Sequence, residues 1–490
     1  MGHVGGARRR REGAQAAQIT GFTLFAIIAF SIWPAGEAAA NARLGPGTIE
    51  GTLILAYRNN PQLNAQRSST RATDENVPTA LAGYRPRVSG TLSLTEQYLD
   101  TLIKSGTSAG GALYSQSQGA LAVSSFGLTA SQTLFNGFQT ANRTRQAEGQ
   151  VFSARELLRT TEQSTLLNAA TAYMNLLQTA AILELQRSNV NVLEVTLRQT
   201  RERFSYGEVT RTDVAQAESR LAAGRSQLSL AESNYVTAQA QYQQVIGIPS
   251  PARLAPAAPV DRLSPRTLDS AIARGRTEHP LVTTATYNVD IAVQQVKIAE
   301  GALYPTLSAV GNVQKTFGST SSVGILETLS ASAGAQLSVP MYQGGSEYSA
   351  IRQAKETLGQ RLLDLETARD QVQSTVTQAW GQLEAAKAQI SATQAQVTAA
   401  EVALNGGREE ARVGQRTTLD VLNAQQDLVN ARVALVTAQR DRVVGSYAIL
   451  AATGALSPQV LALKIEVYDP VVHYGQVRDV WAGVRTPDGR

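Results

Sequence analysis

The sequence predicts an internally duplicated α+β membrane protein, in which pairs of β-strands alternate with very long helices. Three observations predict it. One half of the chain repeats in the other at a constant spacing, four runs alternate apolar and polar residues with period two, and two stretches of about 65 residues carry helical pattern without a proline.

Composition narrows the function classes first. The 490 residues carry 44 Lys+Arg against 39 Asp+Glu, a formal net charge of +5, and no basic block outside the N-terminus offers a nucleic-acid footprint. There is no cysteine, so disulfides, thiolate metal sites and thiol nucleophiles are excluded. The three histidines, His3, His279 and His473, stand far apart in sequence. Charged residues are 17% and aromatics 6%, so the apolar content is carried by Ala, Leu and Val, which suits close helix packing.

The first 40 residues read as a signal peptide. Arg8 to Arg11 precede an apolar run from Gly21 to Trp33, and Ala38 to Ala40 supply small residues for cleavage near Asn41. The run is shorter than the roughly 20 residues a spanning helix needs.

The duplication sets the domains. Gly207, Thr210, Asp213, Val214, Ala217, Leu221 and Arg225 recur 207 residues later as Gly414, Thr417, Asp420, Val421, Ala424, Leu428 and Arg432. Upstream, Pro61 and Pro86 recur as Pro280 and Pro305 at a spacing of 219, so the first copy holds about 12 extra residues between Pro86 and Phe135. The expected organisation is a first repeat over 41–248, a proline-punctuated linker over 249–264, a second repeat over 265–454 and a C-terminal periplasmic segment over 455–490.

Each repeat holds two strands, expected at about 86–99 and 121–135, then 305–317 and 328–341. In the first, Val88, Leu92, Leu94 and Tyr98 oppose Ser89, Thr91, Ser93, Thr95 and Gln97; in the last, Leu329, Ala331, Ala333, Ala335 and Leu337 oppose Ser330, Ser332, Gln336 and Ser338. Such alternation with an uncharged polar face is the pattern of a transmembrane barrel strand. Four strands cannot close a barrel, since an open edge in lipid strands backbone polar groups without partners. The chain must therefore pool strands with its own copies, as a dimer of eight or a trimer of twelve.

Long helices are expected at about 138–205 and 212–246, and at 346–412 and 418–453. The returning helix carries heptads, Val214, Ala217, Leu221, Gly224, Leu228, Ala231 and Tyr235, with small residues at alternate seam positions for close antiparallel packing. A stretch of about 65 residues makes a rod of roughly 100 Å, too long for a compact domain.

Enzyme motifs are weak. The run from Gly106 to Gly110 fits G-x-S-x-G, but it falls in the first-copy insertion without strand-turn-helix context and is expected to be a flexible surface loop. His279 before Pro280 is expected to be structural. No catalytic, metal or cofactor-binding residue is expected.

The order helix, strand, strand, long helix, tip, returning helix, written twice behind a signal peptide, resembles the TolC family of outer-membrane export ducts. The segment from Arg412 to Ala424 carries the resemblance most specifically, with its counterpart from Tyr206 to Val214. The resemblance implies three chains sharing a twelve-stranded transmembrane β-barrel, four strands per chain, continued by a long periplasmic α-helical coiled-coil barrel. It implies export through the outer membrane of a Gram-negative bacterium, for type I protein secretion or small-molecule efflux. The partners would be a periplasmic adaptor (membrane fusion) protein, an inner-membrane ABC or RND-type transporter and outer-membrane lipid, with no nucleic acid and no cofactor. The competing reading is a trimeric structural or adhesive coiled-coil stalk anchored by a small barrel.

Carried over by position, the family's two aspartate rings at the periplasmic entrance fall on Asp420 and Asn423, so one ring is amide. Spaced i and i+3, the two share a helix face. The links that hold the entrance shut fall on Thr212, Asp213 and Arg416; the tyrosine that joins them elsewhere in the family falls on Ala411. The adaptor-contacting tip turns fall on Tyr206, Gly207 and Glu208, and on Val413, Gly414 and Gln415. Asp213 also stands where a helix start calls for a capping side chain, and both glycines where a helix-to-helix turn calls for positive φ.

Overall fold

A computed structural model describes residues 47–108, 110–319 and 327–489. The expected signal peptide lies outside the described residues. Among the described residues three short helices come first: α1 (Ile49–Asn59), α2 (Pro61–Asp74) and α3 (Asn76–Leu81). Then follow β1 (Arg87–Ser108), β2 (Gly111–Asn136), α4 (Gln139–Ser205) and α5 (Arg211–Ile246). The second repeat runs α6 (Leu268–Glu278), α7 (Pro280–Gly301), β3 (Thr306–Ser319), β4 (Glu327–Ser338), α8 (Ser346–Arg412) and α9 (Thr418–Ala452). One helix, α10 (Pro470–Val477), lies in the C-terminal segment.

The helix starts are written locally. Asn60 and His279 cap α2 and α7 just ahead of Pro61 and Pro280, a proline at the first helical position having no amide to satisfy. His279 Nδ1 accepts from the Leu281 amide at 3.1 Å, the structural role expected of it.

α4 and α8 have 67 residues each, about 100 Å. Their returning partners α5 and α9, of 36 and 35 residues, reach only about half as far. The remaining length of α4 is covered by α7 from the other repeat and by α1, α2 and α3, and that of α8 by α6 and α7. The largest core sits where these layers meet, with Tyr173, Tyr242, Leu53, Leu176, Ile246, Tyr447 and Leu450 buried together. The inter-repeat segment is laced onto it, since the Tyr173 hydroxyl lies 2.8 Å from the Gly47 carbonyl and 2.6 Å from that of Ala255. Burial pushes the Tyr173 phenol up to about 12, which keeps it a neutral donor.

The four strands form one antiparallel sheet in the order β1-β2-β3-β4. The registers Leu92↔Phe126, Leu128↔Val313 and Val313↔Ala331 put the apolar faces of all four strands on one side. Val88, Leu92, Leu94, Tyr98, Phe126, Leu128, Val313, Leu329 and Leu337 are all exposed there. The other side is polar and stitched across strands, Ser93 to Ser125 at 2.7 Å and Thr129 to Asn312 at 3.2 Å. From Val88 to Tyr98 the apolar face spans the 9–11 residues that a tilted strand needs to cross a bilayer.

The first-copy insertion corrects the sequence expectation. It is not a loop: β1 and β2 stay paired from Arg87↔Ser131 to Ser108↔Gly111, where ends near 99 and 121 were expected. Among the described residues β2 meets β3 from Ala122↔Ser319 onward, and on the other side of Ala122 β1 and β2 stay paired with each other. The polar side chains there bind one another, with Gln116 and Gln118 donating to Asp100 at 2.9 and 3.1 Å. Uncharged polar residues that look like loop in one dimension become cross-strand partners in two. Of the G-x-S-x-G run, Gly106 to Ser108 belong to β1.

Candidate functional site: the two helical tips

The helix ends opposite the sheet are built the same way in both repeats. At the first tip Gly207 has φ 80° and its amide bonds to the Phe204 carbonyl at 3.0 Å; at the second Gly414 has φ 77° and bonds to that of Ala411 at 3.3 Å. A side chain would have open space at either position, so it is the left-handed backbone that asks for glycine. Tyr206 and Val413 beside them are exposed.

The returning helices begin with matching capping boxes. Thr210 accepts from the Asp213 amide while the Thr210 amide donates to Asp213 Oδ2 at 2.9 Å. Thr417 and Asp420 repeat the arrangement at 3.0 Å. Hydrogen bonds from the capping threonines hold both carboxylates below the usual aspartate range. Asp213 is thus the third residue of the helix, with Thr210 as the cap.

The expected gate residues have partners within the chain. Arg416 Nε reaches Glu410 Oε2 at 2.6 Å across its own tip, and Asp213 Oδ2 is held by Thr210. The chain does not bring Arg416 and Asp213 together, and Thr212 stands exposed at the start of α5. The first tip has its own staple with the charges exchanged, Arg203 to Glu208 at 3.1 Å.

Asn423 is placed by residues the sequence reading missed. Leu422 is buried among Val190, Leu193, Leu197, Ala217 and Leu221, which seats the start of α9 in the α4–α5 hairpin. Beside it Arg220 Nη2 donates to Asn423 Oδ1 at 2.6 Å. Two further rungs join each long helix to its returning partner. Arg225 meets Glu194 and Arg432 meets Glu401, both at 2.8 Å; Arg201 meets Glu218 at 2.6 Å and Arg408 meets Gln425 at 3.0 Å. All four positions of each rung obey the 207-residue spacing, so that spacing could have found them.

The tip region is thus an end face of hydrogen-bonded helix hairpins rich in charge. Comparison with known proteins gives it a setting. The family model described as outer membrane efflux protein matches residues 53–248 and 272–455. The outer membrane efflux protein BepC of Brucella suis biovar 1 is 39% identical over 452 residues, covering 90% of this chain and 93% of its own. The outer membrane protein TolC of Escherichia coli is 27% identical, covering 64% and 66%. Among solved structures, the CmeC outer membrane channel of Campylobacter jejuni superposes with a TM-score of 0.71 at 16% identity, over 88% of this chain and 89% of that one.

Proposed function

The chain belongs to the outer membrane efflux protein family and is an export duct of the outer membrane, and from that premise we propose how it is assembled and gated. Three copies pool their sheets into a twelve-stranded barrel, and the helices form a periplasmic tunnel behind a cleaved signal peptide. The observation that carries this reading is the pair of open sheet edges. Among the described residues β1 and β4 each have one neighbour within the chain, and they run antiparallel to one another. A β4 edge can therefore pair with the β1 edge of a neighbouring copy, and a cyclic arrangement leaves no edge in lipid. The stalk reading has no corresponding support.

The narrow end of the tunnel is at the tips, where Asp420 and Asn423 line the entrance and Thr212, Asp213 and Arg416 govern its width. The glycine turns, Tyr206-Gly207-Glu208 and Val413-Gly414-Gln415, present the exposed surface that a periplasmic adaptor takes hold of, and an ABC or RND-type transporter of the inner membrane supplies the cargo. The test is native mass measurement of the detergent-solubilised protein followed by single-channel recording in a planar bilayer. A trimer with a small, cation-preferring conductance is expected. A stable monomer with full β-signal, or a trimer that conducts nothing after its tips are loosened, would overturn the reading.

A further inference from the structure

The C-terminal segment has no part in the tips or in the strand count, yet it is fastened along its length. Leu456 is buried in the main core. The Tyr468 amide donates to the Tyr57 hydroxyl at 3.2 Å, and that hydroxyl donates to Glu162 on α4 at 3.1 Å. The buried His473 and Asp74 then meet at 2.9 Å, and Arg478 lies 3.7 Å from Glu148, again on α4. From Glu162 to Glu148 the segment climbs about 20 Å along α4 toward the sheet. At the top Arg85 Nη1 donates to the Val480 carbonyl at 2.7 Å, and its guanidinium lies 4.7 Å from the Trp481 ring centre. Arg85 stands two residues before β1. Asp488 then returns to within 3.7 Å of Arg71 on α2, so Trp481 lies near the apex of the path.

A strap that merely braced the helices would bury its largest side chain. Instead Trp481 is 71% exposed while its backbone neighbour and its ring are both held by Arg85. At the same level, where the chain enters β1 and β3 and leaves β4, stand Tyr84, Tyr304 and Tyr342, exposed by 49%, 52% and 76%. These side chains have apolar bodies and one polar atom each, and they sit where the apolar sheet face begins. Such side chains favour the boundary between hydrocarbon and water.

We propose that the C-terminal segment is a membrane-interface collar: Arg85 presents Trp481 to the phospholipid headgroup layer of the periplasmic leaflet, next to the base of the barrel. The occupant is lipid and not a second copy of the chain. Arg478, Asp479, Arg485 and Asp488 lie within seven residues of Trp481, a charge density that suits a wet boundary and is depleted at the centre of protein interfaces. The inference rests on the reading of the sheet as the membrane-spanning element.

The sequence has three tryptophans, Trp33 in the signal peptide region, Trp380 and Trp481. Trp380→Phe therefore leaves Trp481 as the single emitter of the exported chain. The variant trimer is reconstituted into vesicles of phosphatidylcholine brominated near the headgroup end or near the methyl end of the acyl chain. Emission should be quenched strongly by the shallow bromine, weakly by the deep one and little by iodide. Arg85→Ala should exchange lipid quenching for iodide quenching. If Trp380→Phe fails to assemble, the difference between the native protein and Trp481→Phe supplies the same signal. Quenching by iodide alone would place the ring in water, and quenching by neither would place it under a neighbouring copy; either overturns the collar. Trimer mass and conductance are measured on the same vesicles. Their loss would sink the barrel and the collar together, whereas their retention without lipid quenching sinks only the collar.

Discussion

Arg220 of the first repeat donates to Asn423 of the second across 2.6 Å, so the amide at the expected entrance carries a guanidinium with it. Where the resemblance implies a second carboxylate ring, this chain has an amide bonded to a cation. We predict that Arg220→Ala makes the channel more cation-selective, measured as the reversal potential in a KCl gradient. Asn423→Asp alone should change selectivity less than Asn423→Asp combined with Arg220→Ala, because the new carboxylate would be neutralised by Arg220. Equal effects would show that Arg220 is elsewhere when the pore conducts.

Arg416 is engaged by Glu410 on its own tip, so its effect on the entrance is expected to run through the second turn. Both side chains are about half exposed, and such a pair contributes at most about 1 kcal/mol. Arg416→Ser and Glu410→Gln should raise single-channel conductance alike, without loss of the trimer. If only Arg416→Ser and Asp213→Ala do so, then Arg416 closes the entrance by reaching a neighbouring chain.

The two capping boxes make the tips acid-sensitive. Asp213 and Asp420 have pKa values lowered in the folded state, so the stability they contribute is fully present above the ordinary aspartate value of about 3.9. It is lost as pH falls through the lowered values. Pulsed amide exchange read by mass spectrometry should show the first turns of α5 and α9 opening in that window while the main core stays protected. Thr210→Ala should weaken the first turn of α5 by about 1 kcal/mol at neutral pH and flatten its acid response.

At the junction between sheet and helices, Gly137 has φ 62° and a side chain there would collide with the Gly301 carbonyl and with Tyr304. Gly345, at φ 84°, meets nothing within 4 Å. Gly137→Ala should therefore cost clearly more than the about 1–2 kcal/mol of left-handed strain expected for Gly345→Ala. Thermal dissociation of the trimer, followed by gel mobility, should separate the two variants. Equal melting would mean that the backbone at Gly137 relaxes freely.

β1 and β2 stay paired as far as Ser108↔Gly111, and an epitope inserted after Gly110 should be labelled on intact cells without loss of export. Labelling only after disruption of the outer membrane would invert the sheet.

Most of the architecture was legible in the residues because it rests on local periodicity. Alternation placed the strands, proline-free heptads placed the long helices, and Gly207 with Gly414 marked the turns through a backbone need that only glycine meets without cost. In sequence Asp213 reads as a capping side chain, and the structure makes Thr210 the cap and Asp213 its reciprocal partner one turn on. What sequence could not determine is whatever depends on two distant segments meeting. The insertion after Leu99 looked like a loop because its polar residues lack an apolar stripe; only pairing between β1 and β2 revealed Asp100 as their acceptor. Arg220 carried no pattern of its own, since a lone arginine on a helix face is ordinary until another helix sets Asn423 beside it. His473 and Trp481 were likewise mute, for their roles depend on Asp74 and Arg85 some 400 residues earlier. Periodicity is a property of neighbours along the chain, whereas a charge partner or a stacked ring is chosen by packing, and that choice is made only when the repeats fold against each other.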